Sequence, residues 1–374
     1  MGAKELYPLQ FMFLTVNYIL GTTLFVLPRG LIQQGGKSAW LMPWWAGAAG
    51  IVIALIWIWL SRHYPGQSLA QIPVKALGRF FGGAVSLLFF FHMCMIAGFV
   101  LRNLSDFLNS TILPETPKSV FHIMFLLVAC YAAAQGAVNV ARFNMIVTPF
   151  LFFPFWLAML AATGNWDWDR VQPVLSSDIW GKMLENHAFI GFPFMEGIVL
   201  MMLFPLVRQG GGKALVSGYA VAILSLSAML FMIVGLLGIE RSSRLMFPIY
   251  TIVQEAAIGE VVVNIHSVIS VVLLSLIFIK LLVLVYAAYE CLNQLFRPEK
   301  QWPIFLALII LLSGFAQTVY ENLIQDQEYV KKYTFVFNSF FSLFLPCLLL
   351  AATWIRNAVR PPRGRNASGG SAKR

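Results

Sequence analysis

Lys280 and Glu196 are the residues of this sequence whose types and positions most demand a chemical explanation. Each lies deep inside an apolar stretch, Glu196 within 187–207 and Lys280 within 263–292. Lys280 is about three residues from the middle of its stretch, roughly 4 Å along a helix axis, too deep to reach either membrane face easily. Ionised groups at such depth are costly and face a cavity or a partner. Two readings stay open: a mutually neutralising structural pair, or a fixed positive charge, Lys280, doing the electrostatic work of a coupling ion beside a ligand that Glu196 helps to hold.

The other ionisable groups in apolar stretches have simpler explanations. Arg102 has Asp106 four residues on along the same helix face, and Glu290 is close enough to a span end to reach water. His63, His92, His122, His187 and His266 show no paired ligand spacing, so packing outweighs metal binding. Cys94, Cys130, Cys291 and Cys347 all fall in apolar blocks as small apolar side chains, with neither disulfide nor zinc spacing. No P-loop, GxSxG, HExxH or dinucleotide fingerprint stands in a credible context. The expectation is a protein that is not an enzyme and needs no cofactor or metal.

Glycine and proline punctuate two of the apolar stretches in corresponding places. The first reads Gly21-Thr22-Thr23-Leu24 and ends at Pro28; the sixth carries Gly191, Pro193, Glu196-Gly197 and Pro205. Such residues also kink transmembrane helices without function. Occurring in both, they predict helices broken at the midplane of two inverted repeats, where solute sites form. A restarted half-helix presents free N–H groups and a positive dipole end, so Thr22, Thr23 and Leu24 would face a carboxylate that Gly21 lets approach. Free carbonyls at Phe194 and Met195, with Glu196 beside them, suit an ammonium. The expected ligand is an α-amino acid, held by Gly21, Thr22, Thr23, Gly98, Phe194, Met195, Glu196, Gly197 and Ser275, with Lys280 replacing a coupling ion.

The elements that must position these residues are transmembrane helices. Of 374 residues, 59% are AVILMFWYC and only 11% DEKR, and the mean hydropathy is +0.77, so the bilayer must be the solvent. Ten segments have the roughly 20 mainly apolar residues that a crossing needs: 10–30, 41–60, 83–108, 119–139, 143–163, 187–207, 214–238, 263–292, 302–320 and 335–357. Five per half forces the halves into opposite orientation, a 5+5 inverted repeat. The first apolar block exceeds a signal-peptide core and lacks a cleavage pattern, so the mature chain is expected to start near Met1.

The net charge of +10 could point to nucleic acid, but its distribution follows membrane sidedness instead. With the N-terminus inside, the cytosolic segments hold bases from Lys4, Arg62, Lys75 and Arg79 through Arg356 to Arg374, against only Glu5 and Glu299. The other side collects acids such as Asp167, Asp169, Asp178, Glu240, Glu255, Glu260, Glu321, Asp326 and Glu328. The expected organisation is a short cytosolic N-terminus (1–9), one membrane domain (10–357) and a basic tail (358–374) whose Gly/Ser-rich composition builds no core. The sequon Asn366-Ala367-Ser368 in that tail is accidental if the tail is cytosolic.

Several of these residues carry a family resemblance. Gln10 with Gly21-Thr22-Thr23-Leu24 and Leu27-Pro28, Tyr64-Pro65-Gly66 with Ser68-Leu69 and Leu77-Gly78, Arg102 with Asp106, Leu113-Pro114-Glu115-Thr116-Pro117, and Phe278-Ile279-Lys280 occur in an order and spacing that resembles the endospore germination permeases. These are the B subunits of Ger-type nutrient receptors, in the amino acid-polyamine-organocation (APC) superfamily. The resemblance runs from Leu9 to about Arg356. It departs at Glu260-Val261-Val262-Val263-Asn264, where the family has an acidic-basic cluster. The resemblance implies a leucine-transporter-like (LeuT-like) fold and a nutrient-sensing role in the spore inner membrane, with an A-type membrane subunit, a C-type lipoprotein subunit and the lipid bilayer as partners. A secondary amino-acid transporter coupled to protons or sodium is the alternative, and a ligand-free scaffold is a third class that the paired interruptions oppose.

Overall fold

The structure is a computed structural model that describes residues 5–174, 179–256 and 265–359. Asp178, the Glu260–Asn264 departure, the sequon and nearly all of the basic tail lie outside the described residues, as does the side chain of Glu255.

Apolar runs of this length form helices because a helix satisfies its own backbone polar groups, which lipid cannot. In chain order the helices are α1 (Pro8–Gly35), α2 (Met42–His63), α3 (Gln71–Leu77), α4 (Arg79–Thr111), α5 (Lys118–Ala134), α6 (Ala137–Ala161) and α7 (Ile179–Glu185). An irregular helical segment follows: a π turn (Ile190–Phe194) and two 3₁₀ turns (Met195–Met202, Phe204–Leu206). Then come α8 (Gly211–Arg244), α9 (Pro248–Ala256), α10 (Ile265–Phe296), α11 (Trp302–Thr318), α12 (Leu323–Lys332), α13 (Thr334–Ser339), a π turn (Phe340–Phe344) and α14 (Leu345–Val359). Among the described residues the only extended pairing is an isolated bridge between Leu6 and Val207.

Among the described residues, each of the ten apolar segments falls mainly on helix, the sixth on the irregular helical segment. Six stretches of the described residues are long and apolar enough to cross a membrane, the first of them joining α1 and α2. Three shorter apolar helices, α5, Ile190–Met202 and α11, lie between them. The chain is thus a multi-pass helical membrane protein. Its outer faces leave large apolar side chains exposed, among them Val52, Phe150, Phe153, Ile310 and Trp354, a surface suited to acyl chains and ill suited to water.

One deep polar contact and one close packing contact hold α1 in place. Asn17 donates to Asn144 (2.6 Å) and Thr148 (2.7 Å), tying α1 to α6. Gly21 lets α10 approach closely: a Cβ there would lie 2.9 Å from Lys280 Cβ and 3.1 Å from the Leu276 carbonyl oxygen. The most extensive packing of α1 is against α8, followed by α10.

Here the structure corrects one expectation. α1 is a continuous helix from Pro8 to Gly35, not a helix broken at Gly21–Thr23. Glycine inside a helix costs only about 1 kcal/mol, and the Thr23 hydroxyl bonds back to the Ile19 carbonyl, as threonine does inside helices. Pro28 costs α1 one hydrogen bond, at the Leu24 carbonyl, without ending it. The interruption at the sixth segment does occur: Phe192 has extended backbone (φ −122°, ψ 121°) immediately before Pro193, as proline's steric demand on its predecessor requires.

Candidate functional site

The irregular segment after α7 would leave carbonyls without helical partners inside the protein, and buried backbone groups need them. Side chains from α1, α8 and the run from α13 into its following π turn supply them. Asn338 Nδ2 donates to Gly191 O (2.9 Å), Tyr219 Oη to Phe194 O (2.6 Å), Ser342 Oγ to Met195 O (2.6 Å) and Tyr18 Oη to Glu196 O (3.1 Å). The carbonyls of Phe194 and Met195 are therefore engaged, and not free for an ammonium as expected. Gly197 accommodates the Tyr219 hydroxyl, which a Cβ would strike.

Asn338 is fixed in turn by His92, whose Nε2 lies 2.9 Å from Asn338 Oδ1. With the amide nitrogen on Gly191, that imidazole nitrogen must be the donor. His92 also stacks on Phe341, ring centroids 4.3 Å apart. It holds the segment from behind. No cluster of three or more metal-ligating side chains occurs among the described residues.

Glu196 and Lys280 meet. Lys280 Nζ is 2.7 Å from Glu196 Oε2 and 3.2 Å from Thr22 Oγ1, with the Lys280 side chain fully buried. The ammonium also lies over the rings of Phe192 (4.9 Å) and Tyr18 (5.2 Å), where the π faces attract it. A short ion pair with aromatic and hydroxyl neighbours compensates much of the cost of taking two charges out of water.

Beside this pair, α1, α4, the irregular segment, α12 and α13 line a partly open chamber. Its polar lining consists of Thr22, Asn103, Glu196, Asp326, Tyr329, Thr334 and Asn338, and its apolar walls include Val26, Ile96, Phe99, Phe192 and Phe337. The cavity volume is about 40 Å³, enough for only a few waters at roughly 10–15 Å³ each.

Of the residues expected at a ligand, Thr22 and Glu196 line this chamber and Lys280 pairs with Glu196 beside it. Gly21 faces α10 instead, and the Thr23 hydroxyl is spent within α1. Phe194 packs on α2 and Tyr219, and Met195 on Ser339 and Ser342. Gly98 makes room for Phe315 of α11. Ser275 bonds back to Val271 on an open face of α10. Small size and mid-membrane depth do not set the side of the helix on which Gly98 or Ser275 sits.

Asn338, Asn103, Phe192 and Asp326 were missed. A lone asparagine inside an apolar stretch is a signal that could have flagged Asn338. Asp326 was hidden among the acids of a loop, although Asn322 marks the start of α12 by accepting from Ile324 N and Gln325 N, a typical N-cap.

Arg102 and Asp106 form the expected pair, with Arg102 Nε 3.3 Å from Asp106 Oδ1. Lys118 joins them at 2.5 Å, and Arg102 also donates to the Ala316, Gln317 and Glu321 carbonyls. This cluster caps α11 and lies outside the chamber lining. Glu290 accepts from Gln294 at 2.8 Å and Asn293 at 3.3 Å.

Comparison with known proteins gives a consistent result. A family model described as "Spore germination protein" matches residues 5–325. The spore germination protein YndE of Bacillus subtilis (strain 168) is 23% identical over 306 residues, covering 80% of this chain and 84% of that protein. Spore germination protein B2 of the same organism is 22% identical over 247 residues, covering 66% and 67%.

Proposed function

Because the chain belongs to the spore germination protein family, we propose that it is the nutrient-sensing subunit of a germinant receptor. In this reading ten helices form a leucine-transporter-like 5+5 inverted repeat in the spore inner membrane, with both termini cytosolic, as the distribution of Lys and Arg favours. The nutrient is an amino acid or a similar amine-bearing solute. Occupancy reaches an A-type membrane subunit and a C-type lipoprotein subunit through contacts that differ between two states.

The observation that carries the proposal is the partly open chamber lined by Thr22, Glu196, Asn338 and Asp326, with the Lys280–Glu196 pair beside it. Polar groups converging in an otherwise apolar pocket are the mark of a small-molecule site. At about 40 Å³ the chamber must widen to admit a nutrient, so binding favours a second conformation. That is what a sensor requires.

The test is germination of spores carrying Thr22→Val or Phe192→Ala, scored against a panel of amino acids. A normally expressed variant should need at least about tenfold more of the effective nutrient, equivalent to roughly 1.4 kcal/mol of lost binding. An unchanged dose-response in both variants would sink the chamber assignment. Uptake of labelled amino acid by the purified chain alone in vesicles would mark a proton- or sodium-coupled transporter instead.

A further inference from the structure

Asp326 is 1% exposed, and neither of its carboxylate oxygens has a hydrogen-bond partner among the described residues. It sits on α12, outside the membrane-spanning stretches, where the chamber adjoins a smaller cavity lined by Phe25, Met246 and Phe247. Val26 and Asn103 border both spaces. A buried carboxylate with no partner is expensive unless it holds a proton or meets a cation.

The surrounding charges are already committed. Lys280 is taken by Glu196, Arg102 and Lys118 are on Asp106, and the Asn103 carboxamide oxygen accepts the Tyr320 hydroxyl at 2.7 Å. What remains around Asp326 is aromatic and aliphatic: Phe99 stacked on Tyr329 at 4.7 Å, Phe337, Val26 and Val100. A hard metal ion would need several oxygen ligands. One carboxylate among π faces and aliphatic walls suits an alkylammonium, whose charge meets the carboxylate and whose carbon chain meets the rings.

We propose that Asp326 receives the primary ammonium group of the ligand at the α12 end of the chamber. The proposal rests on the nutrient-sensing reading and deepens it by assigning the ligand's cationic end. No unengaged cation lines the chamber among the described residues, so an amine outranks a carboxylate as the group that the site selects. Occupancy would also bond α12 to the ligand, and through it to α1 and α4.

The carboxyl must be ionised to act. Asp106 on α4 and Glu196 on the irregular segment both face it, with the hydroxyls of Tyr320 and Tyr329 alongside; burial first, then those two carboxylates, push it up to about 7. Ammonium affinity should rise about tenfold per pH unit up to about 7 and level off above it.

The test uses the purified full-length chain in lipid nanodiscs at pH 8, with ethylammonium chloride as probe and potassium chloride and sodium acetate as controls. Ethylammonium should raise the thermal unfolding midpoint saturably, acetate should not, and Asp326→Asn should increase the half-saturating concentration at least tenfold. Asp326→Ser, smaller and also uncharged, should behave alike if the isosteric variant expresses poorly. The same half-saturation in an uncharged variant, or an equal effect of potassium chloride, overturns the assignment. Binding is scored here without germination, so the two readings fail separately. Unaltered nutrient responses in Thr22→Val and Phe192→Ala would remove the sensing role while leaving an Asp326-dependent ammonium site standing.

Discussion

Lys280, with no solvent exposure, holds Glu196 and Thr22 at once, so replacing it alone by Met strands a buried carboxylate, at about 3–5 kcal/mol. Expression and thermal stability should both fall. Adding Glu196→Gln removes the stranded charge and should restore folding, as measured by yield and unfolding midpoint. The double variant should still not respond to nutrient, because Thr22 loses its donor and the chamber its fixed charges; a restored dose-response would reduce the pair to packing. Asp326 gives a second prediction at this scale. Its carboxyl is pushed up from 3.8 to about 7, so between those values the folded protein binds a proton that the unfolded chain lacks. Stability from this group is complete below about pH 4 and declines as pH rises through 7. Asp326→Asn abolishes the decline, so its unfolding midpoint should exceed the unmodified protein's at pH 8 and match it near pH 4. Neither residue's role could be read alone. Hydropathy showed that Lys280 and Glu196 were deep, but only their meeting at 2.7 Å identified the partner.

At the scale of elements, α1 and the segment after α7 behave oppositely despite similar glycine and proline content. α1 packs along its length on α8 and α10, and its threonines are satisfied within the helix or by Lys280. The sixth segment has Pro193 where it meets α13, and side chains of Asn338, Tyr219, Ser342 and Tyr18 catch the released carbonyls. Tyr219→Phe should accordingly cost about 1–3 kcal/mol by stranding the Phe194 carbonyl, readable as a lower unfolding midpoint. Gly21→Ala tests the other element. Its methyl would press on Lys280 Cβ and the Leu276 carbonyl of α10, and overpacking of this kind costs about 1–3 kcal/mol. The expected loss is in stability of the folded chain; full stability with an abolished nutrient response would instead return Gly21 to the ligand path. The positions of the long apolar helices were legible in the sequence because crossing length and apolar character set them, whereas the short helices α3, α7, α9 and α12 were not. Whether a glycine opens a break or a contact was not, since that depends on the helix packed against it.

At the scale of the molecule, the proposed receptor role predicts a complex. Solubilised from spores in mild detergent, the chain should bring down an A-type membrane subunit and a C-type lipoprotein; full nutrient response from the chain reconstituted alone would favour the transporter. The buried ammonium of Lys280 beside α1 predicts a response that does not depend on sodium, checked by germination in sodium-free medium buffered with potassium salts. Composition alone determined that this is a helical membrane protein, the hydropathy profile where its long apolar helices lie, and the order of motifs from Gln10 to Lys280 the family to which it belongs. These follow from sequence because bilayer thickness imposes one length on every crossing and lipid forbids unpaired backbone. The tertiary structure decided that α1 is unbroken, that Gly98 and Ser275 face away from the chamber, and that Asn338 and Asp326 line it. The physical reason is that hydropathy sets how deep a residue lies but not the direction in which its side chain points, and a binding site is made of directions converging from helices far apart in the chain.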